Sequence, residues 1–362
     1  MTTPKSKIEK LIAELCPNGV EFKSIGEICQ INRGRVMSKD YLKDNAGEYP
    51  VYSSQTADNG IFGRINTYDY DGEYLTWTTD GAYAGSIFYR NGKFSITNVC
   101  GLLKAKSDDV NMKFLSYILA TVSKKYVSAG MGNPKIMSNV MEKIKIPLPP
   151  LAIQEEIVKI LNSFTELEAE LEAELEARKK QYEYYHKDLF NFKDDFKIKT
   201  LGDIYDFQYG EGNTIPTTGG EFPVYGSNGI VGSHDKYNSE DAPVIGHIGA
   251  YAGIVNWAQG KHFITYNGVI CKIKPDTNPR FGYHLLVLQD FRSKANAGSQ
   301  PFVSYDMLKK TKIKIPNISM QNKIADTLDK FDLLLNDISI GLPAELSARR
   351  SQYEYYRGKL LT

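Results

Sequence analysis

The chain has 362 residues, 42% of them hydrophobic, and its 44 Lys or Arg and 43 Asp or Glu give a formal net charge of +1. This length and composition predict two or three globular domains with substantial cores. No stretch approaches 18 consecutive apolar residues, and the polar segment after Met1 lacks the apolar core of a secretory signal. We therefore expect a cytoplasmic protein that is neither secreted nor membrane-spanning.

Charge is distributed unevenly along this nearly neutral chain. Residues 90–145 contain ten Lys or Arg and three Asp or Glu, and residues 261–314 contain the same numbers. Six glutamates between Glu166 and Glu176 offset part of this positive charge. Basic zones are typical of phosphate-binding surfaces, although solvated surface lysines are the ordinary alternative for either zone taken alone. Two equivalent zones favour a nucleic-acid partner.

The first block, residues 1–150, is predicted to be an α/β domain preceded by an N-terminal helix. Ser86-Ile-Phe-Tyr has the composition of a short strand, and residues 113–123 have the apolar spacing of a helix. The glycines of Gly81-Ala-Tyr-Ala-Gly85 favour a close-packed turn. Pro147-Leu-Pro-Pro150 ends the block, because proline continues neither a helix nor a central strand.

Residues 151–190 are predicted to form one long helix. Apolar residues recur every three or four positions, and a continuous helix from Gln154 to Phe190 would extend about 55 Å. A helix with such an apolar stripe needs a partner to bury it. The run Leu167-Glu-Ala-Glu is followed by similar runs at Leu171 and Leu175. Each such four-residue unit would lengthen the helix by about 6 Å.

The next block, residues 191–318, repeats the first. Phe222-Pro-Val-Tyr matches Tyr49-Pro-Val-Tyr, and Gly249-Ala-Tyr-Ala-Gly253 is identical to the earlier segment. Val269-Ile-Cys-Lys-Ile is typical of a strand. The segments between these matches differ strongly. The chain is therefore predicted to be an internal duplication of one α/β scaffold that presents different side chains in its two copies.

The second helical region, residues 319–362, repeats at residues 352–356 the segment Gln-Tyr-Glu-Tyr-Tyr of residues 181–185. Gly341 and Pro343 are expected to kink or interrupt it. We predict that the two helical regions pair as an intramolecular coiled coil, in which the tyrosines pack along the apolar stripe. Direct contact of these tyrosines with DNA is the alternative. The residues predicted for this stripe are Phe164, Leu167, Leu171, Leu175, Tyr182, Tyr185, Phe331, Leu335, Tyr353 and Tyr356.

These features together resemble the specificity subunits of type I restriction–modification systems. The resemblance covers almost the whole chain. It depends on two variable blocks alternating with two helical regions, on IPLPPLAIQEEI and its weaker copy IKIPNISMQNKI, on ARKKQYEYYHKDL and ARRSQYEYYRGKL, and on the paired GAYAG. It implies two target-recognition domains, each reading one part of a split target in double-stranded DNA, on an antiparallel helical spacer.

The resemblance also implies partners and cofactors. Two DNA methyltransferase subunits are expected to dock around the spacer and domains, and restriction subunits remain open as further partners. S-adenosylmethionine and ATP are expected on those partner subunits, with no cofactor in this chain. The implied fold is therefore two α/β target-recognition domains joined by two long helices that form an antiparallel intramolecular coiled coil.

Turn-rich polar loops between strands are the best candidates for DNA contacts, because Gln and Asn can pair with adenine and Arg or Lys with guanine in the major groove. First-domain candidates are Arg33, Arg35, Ser53, Ser54, Gln55, Thr78, Thr79, Tyr83, Asn133 and Lys135. Second-domain candidates are Ser227, Asn228, His247, Tyr251, Ser299 and Gln300. For each residue an ordinary role in a turn or at a strand end is the alternative. The two arginines are candidates for phosphate contacts.

Catalytic and metal-binding motifs are absent from the sequence. It contains no GxxxxGK[ST] phosphate loop, no HExxH, no GxSxG and no NPPY-type motif. The four cysteines have no CxxC pair and are expected to be reduced, and the five histidines lack metal-ligand spacing. We therefore expect a non-catalytic subunit without a metal site. The alternative from another class is a coiled-coil scaffold whose two domains bind protein or carbohydrate, and methyl transfer by this chain alone is a weaker third.

Overall fold

The computed structural model describes residues 6–128, 132–212, 215–296, 300–337 and 340–361. The chain divides into two compact units, the first containing residues 1–169 and 348–362 and the second containing residues 170–347. Each unit contains one α/β domain and part of the helical regions. Within the described ranges, every helix is too short or too polar to cross a lipid bilayer.

The first unit contains the elements predicted for an α/β domain. Its helices are α1 (Lys7–Leu15), α2 (Ile25–Ile28), α3 (Lys39–Asp44), α4 (Met112–Val122) and α5 (Ser138–Met141), with 3-10 turns at Ala57–Gly60 and Ser123–Tyr126. Its strands are β1 (Phe22–Ser24), β2 (Cys29–Arg33), β3 (Ala46–Tyr52), β4 (Ile61–Ile65), β5 (Tyr70–Thr78), β6 (Ile87–Ile96), β7 (Cys100–Ala105) and β8 (Lys145–Pro147). Six strands form one sheet in the order β2-β7-β5-β6-β3-β4, and β1 pairs with β8.

Strand β6 changes partner along its length. Its residues up to Phe94 pair antiparallel with β5, whereas Ser95 and Ile96 pair in parallel with the end of β3. The backbone N–H of Thr97 then donates to the carbonyl oxygen of Tyr52 at 2.9 Å. This change of partner places the turn after β6 beside the end of β3.

The core of the first unit is built around Trp77, which is fully buried and donates from Nε1 to the carbonyl oxygen of Ile136 at 3.0 Å. Its ring lies against Gly101, where a Cβ would approach the indole within 2.2 Å, so only glycine fits on that strand. Both helical regions contribute to the same core, the first through Leu161 and the last through Leu361. The C-terminal residues of the chain therefore help to stabilise its N-terminal domain.

The second unit repeats this architecture and confirms the predicted duplication. Its helices are α7 (Leu201–Ile204), α8 (Pro279–Leu288), α9 (Phe291–Lys294), α10 (Tyr305–Lys310) and α11 (Ile318–Asn336). Its strands are β9 (Phe196–Thr200), β10 (Tyr205–Tyr209), β11 (Phe222–Gly226), β12 (Gly229–His234), β13 (Ser239–Gly246), β14 (Val255–Ile264), β15 (Gly268–Ile273) and β16 (Lys312–Pro316). The sheet order β10-β15-β13-β14-β11-β12 matches that of the first unit, and β9 pairs with β16.

A buried glutamine joins sheet and helix in the same way in both units. In the first, Gln154 is 1% exposed and accepts on Oε1 from the backbone N–H of Asn111 at 2.9 Å. In the second, Gln321 is 1% exposed and accepts from the backbone N–H of Asn278 at 2.9 Å. Each of these asparagines caps the following helix through its side chain. The repeated glutamine in the sequence therefore marks a structural hydrogen bond.

The long helix α6 (Leu151–Leu189) spans 39 residues, as its apolar spacing predicts. The predicted interruption near Gly341 is also present, because α11 ends at Asn336 and α12 (Leu342–Leu361) begins a new helix. Pro343 lies in the first turn of α12, where a backbone N–H has no intrahelical acceptor and proline is tolerated.

The four cysteines are free and buried, in agreement with the expected reduced state.

In the first unit, α6 contacts α12 through aromatic rings. The ring of Phe164 stacks on Tyr356 with centroids 5.5 Å apart and lies 6.4 Å from Tyr353. One turn further along α6, Glu168 accepts from Nε of Arg350 at 2.5 Å. The partner numbers fall as the α6 numbers rise, so the two helices run antiparallel where they meet in this unit.

In the second unit, α6 contacts α11 around Phe331, whose ring centroid lies 6.0 Å from Tyr182 and 5.9 Å from Tyr185. Leu335 is buried, Leu171 and Leu175 are half-buried, and Leu167 of the first unit is 42% exposed. Tyr185 and Tyr356 are 38% and 41% exposed, whereas Tyr182 and Tyr353 are half-buried. Each tyrosine repeat therefore buries its first ring more deeply than its last.

Candidate nucleic-acid interface

Three of the residues predicted in the first domain, Arg33, Ser54 and Thr79, meet in one hydrogen-bonded network. Oδ1 of Asp80, which follows β5, accepts from the Ser54 hydroxyl at 3.0 Å. The Thr79 hydroxyl lies 3.2 Å from the same oxygen and 2.8 Å from the carbonyl oxygen of Val99, so it donates to one of them at a time. The turns after β3, β5 and β6 are thereby held together, and their candidate side chains lie side by side.

The two predicted phosphate-binding arginines already have protein partners. Arg33 donates from Nη2 to the carbonyl oxygen of Asn98 at 2.6 Å and to the Thr79 hydroxyl at 3.2 Å. Arg35 pairs with Asp69 at 3.2 Å and lies over the ring of Tyr41. A phosphate would have to compete with these contacts. Both arginines therefore shape the turns around them in this structure.

The two GAYAG segments form the same turn. Their first and last glycines have φ between 83° and 91°, a left-handed region that glycine adopts without strain. The central tyrosines point away from the core, with Tyr83 59% and Tyr251 49% exposed. Thr78, by contrast, is buried and donates to the carbonyl oxygen of Tyr83, so it holds the turn instead of facing solvent.

The segment around Lys135 lies beside the first GAYAG turn. The backbone N–H of Gly81 donates to the carbonyl oxygen of Pro134 at 3.0 Å. Asn133 and Lys135 on either side are exposed. The structure therefore brings an exposed amide and an exposed ammonium next to the turn that carries the exposed Tyr83, although they lie fifty or more positions after it in the chain.

Three of the second-domain candidates, Ser227, Asn228 and Tyr251, also lie together. The Ser227 hydroxyl donates to the carbonyl oxygen of Ile248 at 2.9 Å, and Ser227, Asn228 and Tyr251 line one cavity of about 340 Å³. His247 is buried with Nδ1 3.1 Å from the carbonyl oxygen of Val303, and burial lowers its pKa, so the ring is neutral at pH 7. Asn228, Tyr251 and Gln300 are exposed, and Ser299 lies outside the described residues.

Three equivalent positions differ in chemistry between the two domains. They are held by Arg33, Thr79 and Asn98 in the first domain, here called the polar network, and by Tyr209, His247 and Tyr266 in the second, here called the aromatic cluster. In the aromatic cluster the Tyr209 centroid lies 4.5 Å from His247 and 5.6 Å from Tyr266. Tyr209 also stacks on Tyr305 at 3.9 Å. One scaffold thus presents hydrogen-bonding groups in one copy and apolar rings in the other.

Sequence reasoning did not select Asn98, Tyr266 or Tyr305. A signal for the first two was present, because they directly follow Ile96-Thr97 and Ile264-Thr265, which match between the repeats. Divergence next to a matched pair identifies a position that the scaffold holds fixed while its side chain changes. Tyr305 has no such signal, since only the folded sheet brings it to Tyr209.

A further group of ionisable residues lies where α8 meets α11. Nε2 of His284 is 2.7 Å from Asp329, and the Arg280 guanidinium lies 2.6 Å from Asp329 and 3.4 Å from Asp332. Burial raises the pKa of Asp329, but hydrogen bonds from His284 and Arg280 outweigh burial and hold the pKa below its ordinary value. His284 and the two carboxylates are close enough to ligate a cation. Arg280 already neutralises these carboxylates, so an ion-pair network accounts for the arrangement.

We expect the second unit to lose stability as the pH falls from about 6.5 to about 4, in part because of His186. Burial lowers the pKa of His186 from 6.5 to about 4, and Nε2 lies 2.9 Å from the carbonyl oxygen of His284. Between these values the unfolded chain binds the proton that the folded chain excludes, so protonation favours unfolding by roughly 2 to 3 kcal/mol. Urea unfolding at stepped pH measures this loss.

The matched variant for this prediction is His186→Gln, which keeps a donor for the carbonyl oxygen of His284 and cannot titrate. The buried histidines His247 and His262 contribute equally in both proteins, so the difference between the two pH profiles reports protonation at the site that His186 shares with its neighbour His284. The variant should lose less stability over this range. Parallel profiles would contradict a buried neutral imidazole.

Comparisons with known proteins agree with the duplicated α/β architecture. The family model of the type I restriction modification DNA specificity domain matches residues 17–177 and 193–348. The chain is 33% identical over 356 residues to a Mycoplasma pneumoniae protein described as a type I specificity subunit, covering 93% of this chain and 96% of that protein. It is 46% identical over 185 residues to the specificity subunit of the M. pneumoniae type I restriction enzyme MpnII, covering 50% of this chain and 56% of that protein.

A solved structure shares the fold over nearly the full length. The S subunit of a type I restriction-modification system from M. genitalium superposes with a TM-score of 0.66 at 19% identity, covering 95% of this chain and 97% of that chain. Two copies of one α/β domain whose polar loops have diverged are typical of a protein that recognises its target with two separate domains. The chain belongs to the family of type I restriction–modification DNA specificity domains and contains two of them. It is a DNA-recognition subunit with two target-recognition domains.

Proposed function

We propose that this chain reads a bipartite sequence in double-stranded DNA, one half with each recognition domain, and directs partner DNA methyltransferase subunits to that sequence. The observation that carries this proposal is the exchange of the polar network for the aromatic cluster at equivalent positions of one scaffold. A sheet that keeps its order while its loop side chains diverge is suited to reading two different half-sites.

The exposed side chains supply suitable chemistry for base recognition. Asn133 and Lys135 in the first domain can pair with adenine and guanine edges, and Asn228 and Gln300 in the second supply amides for adenine. Each bidentate pair would contribute roughly 1 to 3 kcal/mol of discrimination. The rings of the aromatic cluster offer apolar surface that suits a thymine methyl group. The two half-sites are therefore expected to differ in base composition.

Under the same proposal the chain performs no chemistry itself. Two methyltransferase subunits would dock on it, and restriction subunits would join the complex. S-adenosylmethionine and ATP would bind to those partners and not to this chain. The protein would work in the cytoplasm, where its DNA target lies.

The helical regions would act as the spacer between the two recognition domains. Within the first unit α6 and α12 run antiparallel at Phe164 and Tyr356, and within the second unit α6 contacts α11 at Phe331. Continued along both helical regions, this pairing would form an antiparallel coiled coil that fixes the spacing of the half-sites. Adding one four-residue unit to the Leu167 repeat would lengthen the helix by about 6 Å, close to two base-pair steps.

Exchange of the second domain tests the proposal. Residues 205–316 are replaced by the matching segment of a relative, and methylated bases are mapped in cells that also express the partner methyltransferase. The second half of the motif should change and the first half should stay the same. The assembled complex should also lose DNA affinity steeply as salt increases, because basic residues contact phosphates.

The reciprocal exchange of residues 29–147 is the matched control and should alter only the first half. A motif that changes in both halves after either exchange would contradict the assignment of one half to each domain. Methylation without any sequence preference would contradict the proposal as a whole.

A further inference from the structure

The connection between β3 and β4 differs in length between the two domains. Eight residues lie between Tyr52 and Ile61 in the first domain, whereas four lie between Tyr225 and Ile230 in the second. Both connections end on a glycine in the left-handed region, Gly60 with φ of 81° and its counterpart Gly229 with φ of 78°. The first domain therefore carries four additional residues at a place where the two scaffolds otherwise match. We call residues 53–60 the long loop.

The long loop presents polar side chains without positive charge. Its sequence is Ser-Ser-Gln-Thr-Ala-Asp-Asn-Gly, and Ala57, Asp58 and Asn59 are exposed. Asp58 and Asn59 have φ of 47° and 51°, a left-handed conformation that costs energy for residues other than glycine. Other contacts must therefore hold this conformation.

Arg90 on β6 supplies such a contact from below the loop. Its side chain is almost completely buried, Nη2 donates to the carbonyl oxygen of Asn59 at 2.8 Å, and Nε donates to the Thr76 hydroxyl at 3.1 Å. The guanidinium carbon lies 3.6 Å from the centre of the Tyr52 ring. Among the described residues, no carboxylate is found to act on the Arg90 guanidinium, whose ionisable neighbours are limited to Tyr52 and Cys100. A buried cation without a counter-ion is costly, so the scaffold keeps it at the expense of stability.

In the second domain, which has the short turn, an uncharged residue stands at the position equivalent to Arg90. Its residue equivalent to Arg90 is Ala258, which packs with Tyr225 and Val244 in an apolar cluster. The arginine and the long loop are thus present together in the first domain, while the alanine and the short turn are present together in the second. This association indicates that Arg90 is there to hold the loop.

We propose that the long loop is a specificity-determining element of the first domain that reads base edges, and that Arg90 is the positioning residue that holds it in its reading conformation. This inference rests on the proposed function. A loop without Lys or Arg and with one carboxylate is unsuited to phosphate contacts. Its exposed groups suit base edges, since the Asn59 amide can pair with adenine and the Asp58 carboxylate can accept from the amino group of cytosine. The Gln55 amide instead donates to the carbonyl oxygen of Ile61 and holds the loop.

The test uses the complete chain in its methyltransferase complex and three variants. Asn59→Ala removes a reading side chain, and Arg90→Met removes the support. Deletion of residues 55–58 leaves Ser53-Ser54-Asn59-Gly60, which has the length of Gly226-Ser227-Asn228-Gly229 in the second domain and matches it at three of four positions. Base preference at each motif position and the dependence of DNA affinity on salt are measured for each variant. Arg64→Ala, whose side chain is exposed on strand β4 of the same domain, is the matched control.

We expect Asn59→Ala and Arg90→Met to reduce discrimination about tenfold at the same positions of the first half, with the second half and the salt slope unchanged. The double variant should lose no more discrimination than either single variant, because both act through one loop. The deletion should change the preferred bases of the first half. If Arg90→Met does not fold, Asn59→Ala and the deletion decide the question.

Three results would overturn the inference: an unaltered first half in the variants, a loss in both halves, or a smaller salt slope that identifies a phosphate contact. Failure of the proposed function would look different, because the unmodified complex would then methylate without a bipartite motif.

Discussion

Leu361→Ala is expected to lower the free energy of unfolding of the first unit by about 3 kcal/mol. Leu361 ends the last helix of the chain, yet it is buried in the core that also contains Trp77 and Leu161. Truncating it leaves a cavity that the surrounding sheet and helices can close only in part. Trp77 and Trp257 are the two tryptophans of the chain, so urea unfolding followed by Trp77 fluorescence in a Trp257→Phe background reports this unit separately.

The control is Leu167→Ala on α6 of the same unit, whose side chain is 42% exposed. It should change the free energy of unfolding by less than about 0.5 kcal/mol. Equal losses in the two variants would contradict the contribution of the C-terminal helix to the N-terminal domain.

Arg280→Met is expected to lower the free energy of unfolding of the second unit by about 2 kcal/mol. The substitution leaves Asp329 and Asp332 close together without their shared cation, and burial already raises the pKa of Asp332. It also removes the guanidinium that lies over the ring of Trp257. The partial exposure of the network reduces the loss below that of a fully buried ion pair. Urea unfolding at pH 7 followed by amide exchange in α8 and α11 measures it.

Neutralising the carboxylates should reverse this loss. Arg280→Met combined with Asp329→Asn and Asp332→Asn is expected to recover at least half of the stability, because the like charges are removed. Two outcomes would contradict this explanation. The Arg280→Met variant could have the same free energy of unfolding as the unmodified protein, or the triple variant could recover none of the lost stability. Either result would show that the arginine does not act through these carboxylates.

The equivalent site of the first domain provides the matched control. There the Tyr117 hydroxyl donates to Oδ1 of Asn162 at 2.7 Å, a neutral pair in place of the charged network. Lys113 stands where the second domain has Arg280, and its ammonium lies 4.6 Å from the centre of the Tyr89 ring. Lys113→Met should cost less than about 1 kcal/mol. The two domains thus have a neutral hydrogen bond and a charged network, respectively, at equivalent helix contacts.

Much of the fold could be predicted because its signals are local. The spacing of apolar residues predicts α6, the glycines of GAYAG predict a tight turn, and Gly341 with Pro343 predicts a break in the distal helix. The internal repeat then transfers each prediction from one domain to the other. Local signals suffice here because helix periodicity and glycine dihedrals depend on neighbouring residues.

The candidate interface was less predictable, because its contacts join distant segments. The sequence favours Arg33 and Arg35 as phosphate ligands, but the structure pairs Arg33 with Asn98 and Arg35 with Asp69. It gives no indication that Arg90 is buried beneath a loop thirty residues earlier in the chain. The DNA contacts themselves stay predictions until the motif of the complex is measured.

The amino-acid sequence by itself determined that this protein is a duplicated recognition scaffold with two helical regions, since order and repetition are properties of the chain. Only the tertiary structure decided which loops meet, which arginines are engaged and which tyrosines are exposed. The physical reason is that burial and hydrogen bonding are set by strand pairing over long sequence distances. Strand pairing gives the two sheets the same strand order, while the side chains in their loops differ.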